Sequence, residues 1–217
     1  MRLFLASQDF GNYVDKLHEM VGGNRRMLFV YNARDDAYIG QEESRKEKVE
    51  GKHKARIEKA GFEFKELDLR KFFGKEKELE KFIQKFDPGV IYVNGGNNFV
   101  ISRAFVQSGF GKILRQNLKE DRYVYMGDSA GAIIMSEDLR YYARGNEDVV
   151  PEGYGSKVVW DGVGIISKYI LPHIGNPGRG KINQERKELF AKNNKEVIEL
   201  KDSDVYVING NKEEVLR

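Results

Sequence analysis

Short uninterrupted apolar runs constrain this chain more than any other feature: RLFLA at 2–6, MLFVY at 27–31, VIYV at 90–93, YVYM at 123–126 and YIL at 169–171. Their side chains do not alternate between apolar and polar, so strands built from MLFVY or VIYV must be covered on both faces. Between the runs lie segments with helical spacing. Asn12–Met20 carries Tyr13, Leu17 and Met20 on one face, and Glu76–Phe86 carries Leu79, Phe82, Ile83 and Phe86. Gln41–Ala60 is predicted as a long charged helix with a thin stripe of Ile39, Val49, Ala55 and Ile57. Further helices are predicted at Phe99–Phe105, Lys112–Leu118, Ala130–Met135 and Gln184–Asn193, and further strands at Phe62–Leu67 and Val197–Leu200. Strands that alternate with helices predict an α/β layered fold with a mostly parallel sheet. Val205–Ile208 followed by Asn209-Gly210-Asn211 predicts a C-terminal hairpin, which makes the sheet mixed. With no internal repeat and no low-complexity linker, one domain over 1–217 is expected.

The strongest chemical signal is Gly127-Asp128-Ser129-Ala130-Gly131, directly after YVYM. It matches G-x-S-x-G, in which a strand reverses sharply into a helix and lifts a serine hydroxyl clear of the backbone. Small residues on either side of Ser129 let neighbouring chains approach, and Ala130 N–H opens the helix, where it can donate to a developing oxyanion. The competing reading is a plain strand-to-helix turn with a capping Ser or Asp.

A serine needs a base. Of the three histidines, His18 reads as a surface or partly buried residue of an amphipathic helix and His53, in GKHKAR, as solvated. His173 follows YILP and opens a glycine-containing loop, so position and elimination favour it. Gly95-Gly96, Ser129 and His173 each follow an apolar run. In a parallel sheet those strand ends share one edge, where open α/β sheets bind ligands. The segment Asn94–Asn98 admits two readings: a Gly96 N–H that completes an oxyanion hole with Ala130, or a turn into a helix capped by Asn97 or Asn98. For the acid that orients the imidazole, Glu137, Asp138, Glu147 and Asp148 all lie between Ser129 and His173, and spacing alone does not choose among them.

Composition narrows the remaining classes. The absence of cysteine removes disulfides, thiolate metal sites and Cys nucleophiles. Three scattered histidines without a metal-binding spacing predict no metal, and no phosphate-cradling glycine motif predicts a nucleotide, so no cofactor is expected. Net charge is +3 with no dominant basic block, which gives no case for nucleic acid. No run approaches the ~20 apolar residues of a membrane span, and the N-terminus lacks the apolar core of a signal peptide. The expectation is a cytoplasmic protein.

Taken in order, YVNGGNNF, YMGDSAGAIIM and LPHIGNP resemble the motif series of peptidase family S51, the dipeptidase E or α-aspartyl dipeptidase-like proteins. The resemblance runs from about Arg2 to the C-terminal hairpin. It implies a flavodoxin-like, class I glutamine amidotransferase-like three-layer sandwich. It also implies a serine-type peptidase acting on small peptides, with an acidic N-terminal residue as one option. Ser129 is then the nucleophile, His173 the base, and Gly96 and Ala130 the oxyanion donors. Asn146-Glu147-Asp148-Val149-Val150-Pro151 is similar to the family's acid-bearing segment, which favours Asp148 and leaves Glu147 open. At the place of the family's specificity arginine this chain has Asn183. Arg179 and Arg186 are the substitutes in sequence, with Asn97 as a further substrate contact. Alternatives of other classes are another acyl hydrolase on the same site (esterase, amidase or cyanophycinase-like) and a non-catalytic binding homologue. The expected partner is a small peptide, with a homodimer as an open alternative.

Overall fold

The computed structural model describes the backbone of residues 1–37 and 43–217, and the side chains of these except 43–49. The chain order is β1 (Arg2–Ala6), α1 (Val14–Val21), β2 (Arg26–Val30), α2 (Glu43–Lys59), β3 (Glu63–Glu66), α3 (Glu76–Phe86), β4 (Val90–Val93), α4 (Asn98–Ser108), α5 (Phe110–Lys119), β5 (Val124–Asp128), α6 (Ala130–Ile133), β6 (Tyr169–Leu171), α7 (Gly180–Lys192), β7 (Val197–Glu199), β8 (Val205–Asn209) and β9 (Lys212–Leu216). Ile39 and Val49, expected on the stripe of the second helix, lie outside what is described. Of the remaining stripe positions Ile57 is buried but Ala55 is exposed, so the stripe narrows to Ile57 at its C-terminal end.

One sheet has the order β3-β2-β4-β5-β1-β8-β9. Its first five strands in that order run parallel, β8 runs antiparallel to β1, and β9 closes the hairpin. The uninterrupted apolar runs become its central strands for the reason their composition implies. Alternate side chains of one strand leave on opposite faces, and both faces are covered. Phe4, Phe29, Tyr92 and Met126 pack on one side with Leu17 and Met20 of α1 and Ile57 of α2. Leu5, Val30, Val93 and Tyr125 pack on the other with residues of α3, α4, α5 and α7. The result is a three-layer α/β sandwich of the flavodoxin-like class. Fully burying one such side chain contributes roughly 1.5–3 kcal/mol, so the central strands anchor the fold. In β9 only Val215 and Leu216 are even partly buried, and it adds little.

The strand leading to His173 is placed differently from the expectation. β6 does not join the seven-stranded sheet. It pairs in parallel with β7 in a separate two-stranded ribbon. Both sides of the serine strand are occupied, by β4 and β1, and the far side of β1 by β8, so β6 has no place beside them. The last helix also begins earlier than its apolar spacing suggests, at Gly180, after a turn that starts at Pro177.

The irregular stretch after the elbow is held from below by one buried cation. The Arg103 guanidinium, 1% exposed as a residue, donates to the backbone oxygens of Glu147 (2.7 Å), Lys157 (3.2 Å) and Val149 (3.3 Å). These carbonyls have no helix or sheet partner, and a buried one must be paired.

Candidate active site

The turn after β5 places Ser129 at φ 48°, ψ −107°, outside the usual regions for a side-chain-bearing residue. Its N–H donates to Ala6 O (3.1 Å), and its carbonyl accepts from Ile133 N–H (2.9 Å), so both ends of the turn are tied to regular structure. Such conformations cost on the order of 1–3 kcal/mol and persist where the surroundings over-determine them. The second glycine of the motif shows why small residues are needed. A Cβ on Gly131 would lie 2.0 Å from Val93 O of β4. We expect Gly131→Ala to destabilise the fold by on the order of 2–4 kcal/mol, because the clash is with backbone and cannot relax by a rotamer change. Urea unfolding monitored by circular dichroism measures this; a loss below 1 kcal/mol would show that α6 shifts freely.

His173 lies just beyond β6 with φ 63°. Its N–H donates to Ser7 Oγ (2.8 Å), beyond the end of β1, and its carbonyl accepts from Asn183 Nδ2 (2.9 Å) of α7. These ties turn the imidazole toward the elbow although its strand is outside the main sheet. His173 Nε2 stands 3.1 Å from Ser129 Oγ. On the other side of the ring, Nδ1 stands 2.6 Å from Asp202 Oδ1. With Nδ1–H donating to the carboxylate, Nε2 is left to accept from the serine hydroxyl. Asn176 Nδ2 donates to Asp202 Oδ2 at 3.2 Å. Burial pushes the Asp202 carboxyl up, but the hydrogen bonds from His173 and Asn176, with the nearby charges of His173 and Arg179, outweigh it and hold it below the ordinary range.

The carboxylate that meets the imidazole is therefore Asp202 and not the one favoured in sequence. Asp148 is exposed, on the stretch held by Arg103. Glu147 turns back on its own loop, accepting from Gly145 N–H (2.8 Å) and Arg144 N–H (3.2 Å). Neither reaches the imidazole. Asp202 does so because the loop after β7 is laced to the loop after β6: Leu200 N–H donates to Leu171 O (3.0 Å) and Ile174 N–H to Leu200 O (2.9 Å). A sequence signal was present, since Lys201-Asp202-Ser203-Asp204 directly follows a predicted strand, as the other site loops do.

Ser129 and His173 open onto a cavity of about 380 Å³ that Gly96 and Arg179 also line, so four of the sequence candidates meet there. Gly96 is exposed, while Gly95 N–H is committed to Asp128 Oδ1 (2.9 Å). Ala130 is the first residue of α6. Two candidates lie elsewhere. Asn97 is the α4 cap, its Oδ1 accepting from Phe99 N–H (2.9 Å) and its Nδ2 donating to Asp36 (2.8 Å) and to Asn146 O (3.1 Å). Arg186 packs over the Tyr142 ring and donates to Tyr142 O (3.0 Å). Burial and neighbouring arginines draw its pKa down to about 10 against the pull of Tyr142.

His53 is not the solvated residue expected. It lines the same cavity with Asp9, Arg34 and Arg56. Its side chain is 11% exposed and 3.7 Å from Asp9, which also receives Arg56 at 2.6 Å. Burial first, then the charge of Arg34, lowers its pKa against the pull of Asp9. His18 is a packing residue, bound to Ala60 O at 2.8 Å.

Asp128, which precedes the serine, is 5% exposed and lines this cavity too. Its Oδ1 accepts from Tyr92 OH (2.9 Å), Asn94 Nδ2 (3.0 Å) and Gly95 N–H (2.9 Å). Among the described residues, no group of three or more His, Asp or Glu is placed to hold a metal ion, and no helix is long and apolar enough to cross a membrane.

The sequence profile of peptidase family S51 matches residues 3–216. An uncharacterized peptidase of Listeria innocua is 27% identical over 53% of this chain and 56% of its own length, so the match spans little more than half of that relative. An uncharacterized peptidase of Listeria monocytogenes is 26% identical over 72% of this chain and 76% of its own. Among solved structures, a Listeria monocytogenes EGD-e protein provisionally named peptidase E superposes with a TM-score of 0.75 at 22% identity, covering 100% of this chain and 98% of that one. A peptidase from an acI-B1 Actinobacterium does so with a TM-score of 0.66 at 17% identity, over 99% and 86% of the two chains. At these identities the superpositions establish the shared fold.

Proposed function

Because this chain belongs to peptidase family S51, we propose that it is a serine-type peptidase that hydrolyses small peptides through Ser129, His173 and Asp202. The observation that carries this reading is the contact series from Asp202 Oδ1 to His173 Nδ1 (2.6 Å) and from Nε2 to Ser129 Oγ (3.1 Å). Ser129 Oγ attacks the scissile carbonyl while His173 takes its proton, then returns it to the leaving amine. A water repeats the sequence to release the acyl group. Asp202 holds the ring in the useful tautomer and stabilises the imidazolium. Gly96 and Ala130 N–H groups receive the oxyanion, a reading supported by the exposure of Gly96 and by the commitment of the neighbouring Gly95 N–H to Asp128.

The finer substrate reading is a dipeptide with an acidic first residue. It is supported by the guanidinium groups of Arg34 and Arg179 in the cavity wall. Asn183 does not take the role of a specificity residue in this reading. It is 5% exposed, and its amide supports the Pro172 and His173 carbonyls.

The test pairs a fluorophosphonate probe with a panel of Asp-X dipeptides, neutral dipeptides and small esters. Labelling of Ser129 in folded protein and preferential turnover of Asp-X peptides are expected; a folded protein that resists the probe overturns the mechanism. Arg179→Ala should raise KM for Asp-X peptides by about tenfold and change kcat by less than about threefold, since a cation that binds the acid equally in ground and transition states acts on KM. Equal KM values in the two proteins would move the acid-binding role to Arg34.

A further inference from the structure

The carboxylate of Asp128 is built asymmetrically. All of its protein donors, Tyr92 OH, Asn94 Nδ2 and Gly95 N–H, converge on Oδ1. Among the described residues none donates to Oδ2. Nor is Oδ2 sealed in the core: the fully buried side-chain atoms that lack a partner are Asn98 Oδ1, Tyr123 OH and Asn146 Oδ1. Asp128 lines the cavity beside Ser129, and with Oδ1 taken by three donors, Oδ2 is the oxygen left for a ligand there. Arg34, whose charge acts on Asp128, makes its hydrogen bond through Nε to Asn94 Oδ1 (3.0 Å) and not to Oδ2.

A carboxylate oxygen on a cavity wall without a donor is a site for a cation, because leaving a nearly buried charge unmatched is costly. The space in front of it leads to the nucleophile. A Cβ placed on Gly95 would stand 3.0 Å from both Asp128 Oδ2 and Ser129 Cβ, closer than a side chain is ordinarily accommodated, so Oδ2 lies beside the nucleophile and glycine keeps the approach between them uncrowded. In a peptide the group one carbon from the scissile carbonyl of the first residue is the α-ammonium.

Resting on the peptidase reading above, we infer that Asp128 Oδ2 binds the free α-ammonium of the substrate's first residue, so that the enzyme selects unblocked N-termini. Burial, and next the charge of Asp9, push the Asp128 carboxyl up to about 6 against the donors Tyr92 and Gly95 N–H and the charge of Arg34. An ammonium bound there stabilises the ionised form against that shift.

The experiment is calorimetric titration of the Ser129→Ala protein at pH 7.5 with two matched pairs: Asp-Leu against succinyl-Leu, and Ala-Leu against propionyl-Leu. Within each pair only the amine differs. The amine-bearing ligand should bind at least tenfold tighter in one pair or both. Adding Asp128→Asn, which keeps the Oδ1 acceptor and removes the charge, should bring the ratio below threefold and leave the des-amino ligand within threefold of its former affinity. Gly95→Ala in the same background, which blocks Oδ2 without discharging it, should also erase the preference, and it serves if the first variant fails to fold. A ratio near one in the starting protein, a ratio that survives both variants, equal weakening of both ligands, or no binding of any of the four overturns the site. Hydrolysis of Asp-Leu by the unmodified protein is scored separately. Turnover with a ratio near one sinks the ammonium site alone, and an intact ratio without turnover sinks the catalytic reading alone.

Discussion

Ser129→Ala is expected to lower kcat on a cleaved dipeptide by on the order of 10⁴ or more and to leave the protein folded. The size follows from chemistry. Removing Oγ removes the atom that forms the acyl bond, and water in its place has neither its position nor its partner at His173 Nε2, 3.1 Å away. The fold should tolerate the change because the turn is held through the backbone of Ser129, to Ala6 and Ile133, and those bonds need no hydroxyl. Single-turnover assay and thermal unfolding on one preparation measure both quantities. Activity within tenfold of the starting protein would remove Ser129 from the mechanism.

Asp202→Asn should lower kcat by on the order of 10²–10⁴, and Asp148→Asn by less than about twofold. An asparagine that donates its NH₂ to Nδ1 favours the tautomer with the proton on Nε2, which can no longer take the serine's proton. Stability should fall by less than about 1 kcal/mol, because the Asp202 side chain is 40% exposed and a screened pair contributes little. The loss should therefore appear in kcat with the unfolding curve nearly unchanged. A large effect at Asp148 with none at Asp202 would reverse the assignment. The pair is informative because neither carboxylate is buried, and only one touches the imidazole.

Much of the site was legible in one dimension because its pieces have local causes. A serine raised on a turn between a buried strand and a helix needs small neighbours, and Gly127 to Gly131 states that need without reference to the rest of the chain. His173 was legible by elimination and by its place after an apolar run. Asp202 is not singled out by local pattern, because its loop meets the imidazole only through the bonds that tie Leu200 to Leu171 and Ile174. Asn97 could cap a helix or meet a substrate with the same side chain, and only the positions of Phe99 N–H and Asp36 decide for the cap. His53 looked solvated because its neighbours in sequence are charged. It faces inward because α2 lays that turn against Tyr31 and Asp9, with the His53 and Tyr31 ring centroids 5.6 Å apart.

The amino-acid sequence by itself determined the layered α/β class, the covered central strands, the closing hairpin and the serine turn. Each follows from the side-chain pattern of a few consecutive residues and the requirement to bury it. Only the tertiary structure decided which carboxylate meets His173, that β6 pairs with β7 outside the main sheet, and that the donors to Asp128 gather on one of its oxygens. Those outcomes depend on how segments far apart in the chain compete for the same edge and the same donors, and no local pattern records that competition.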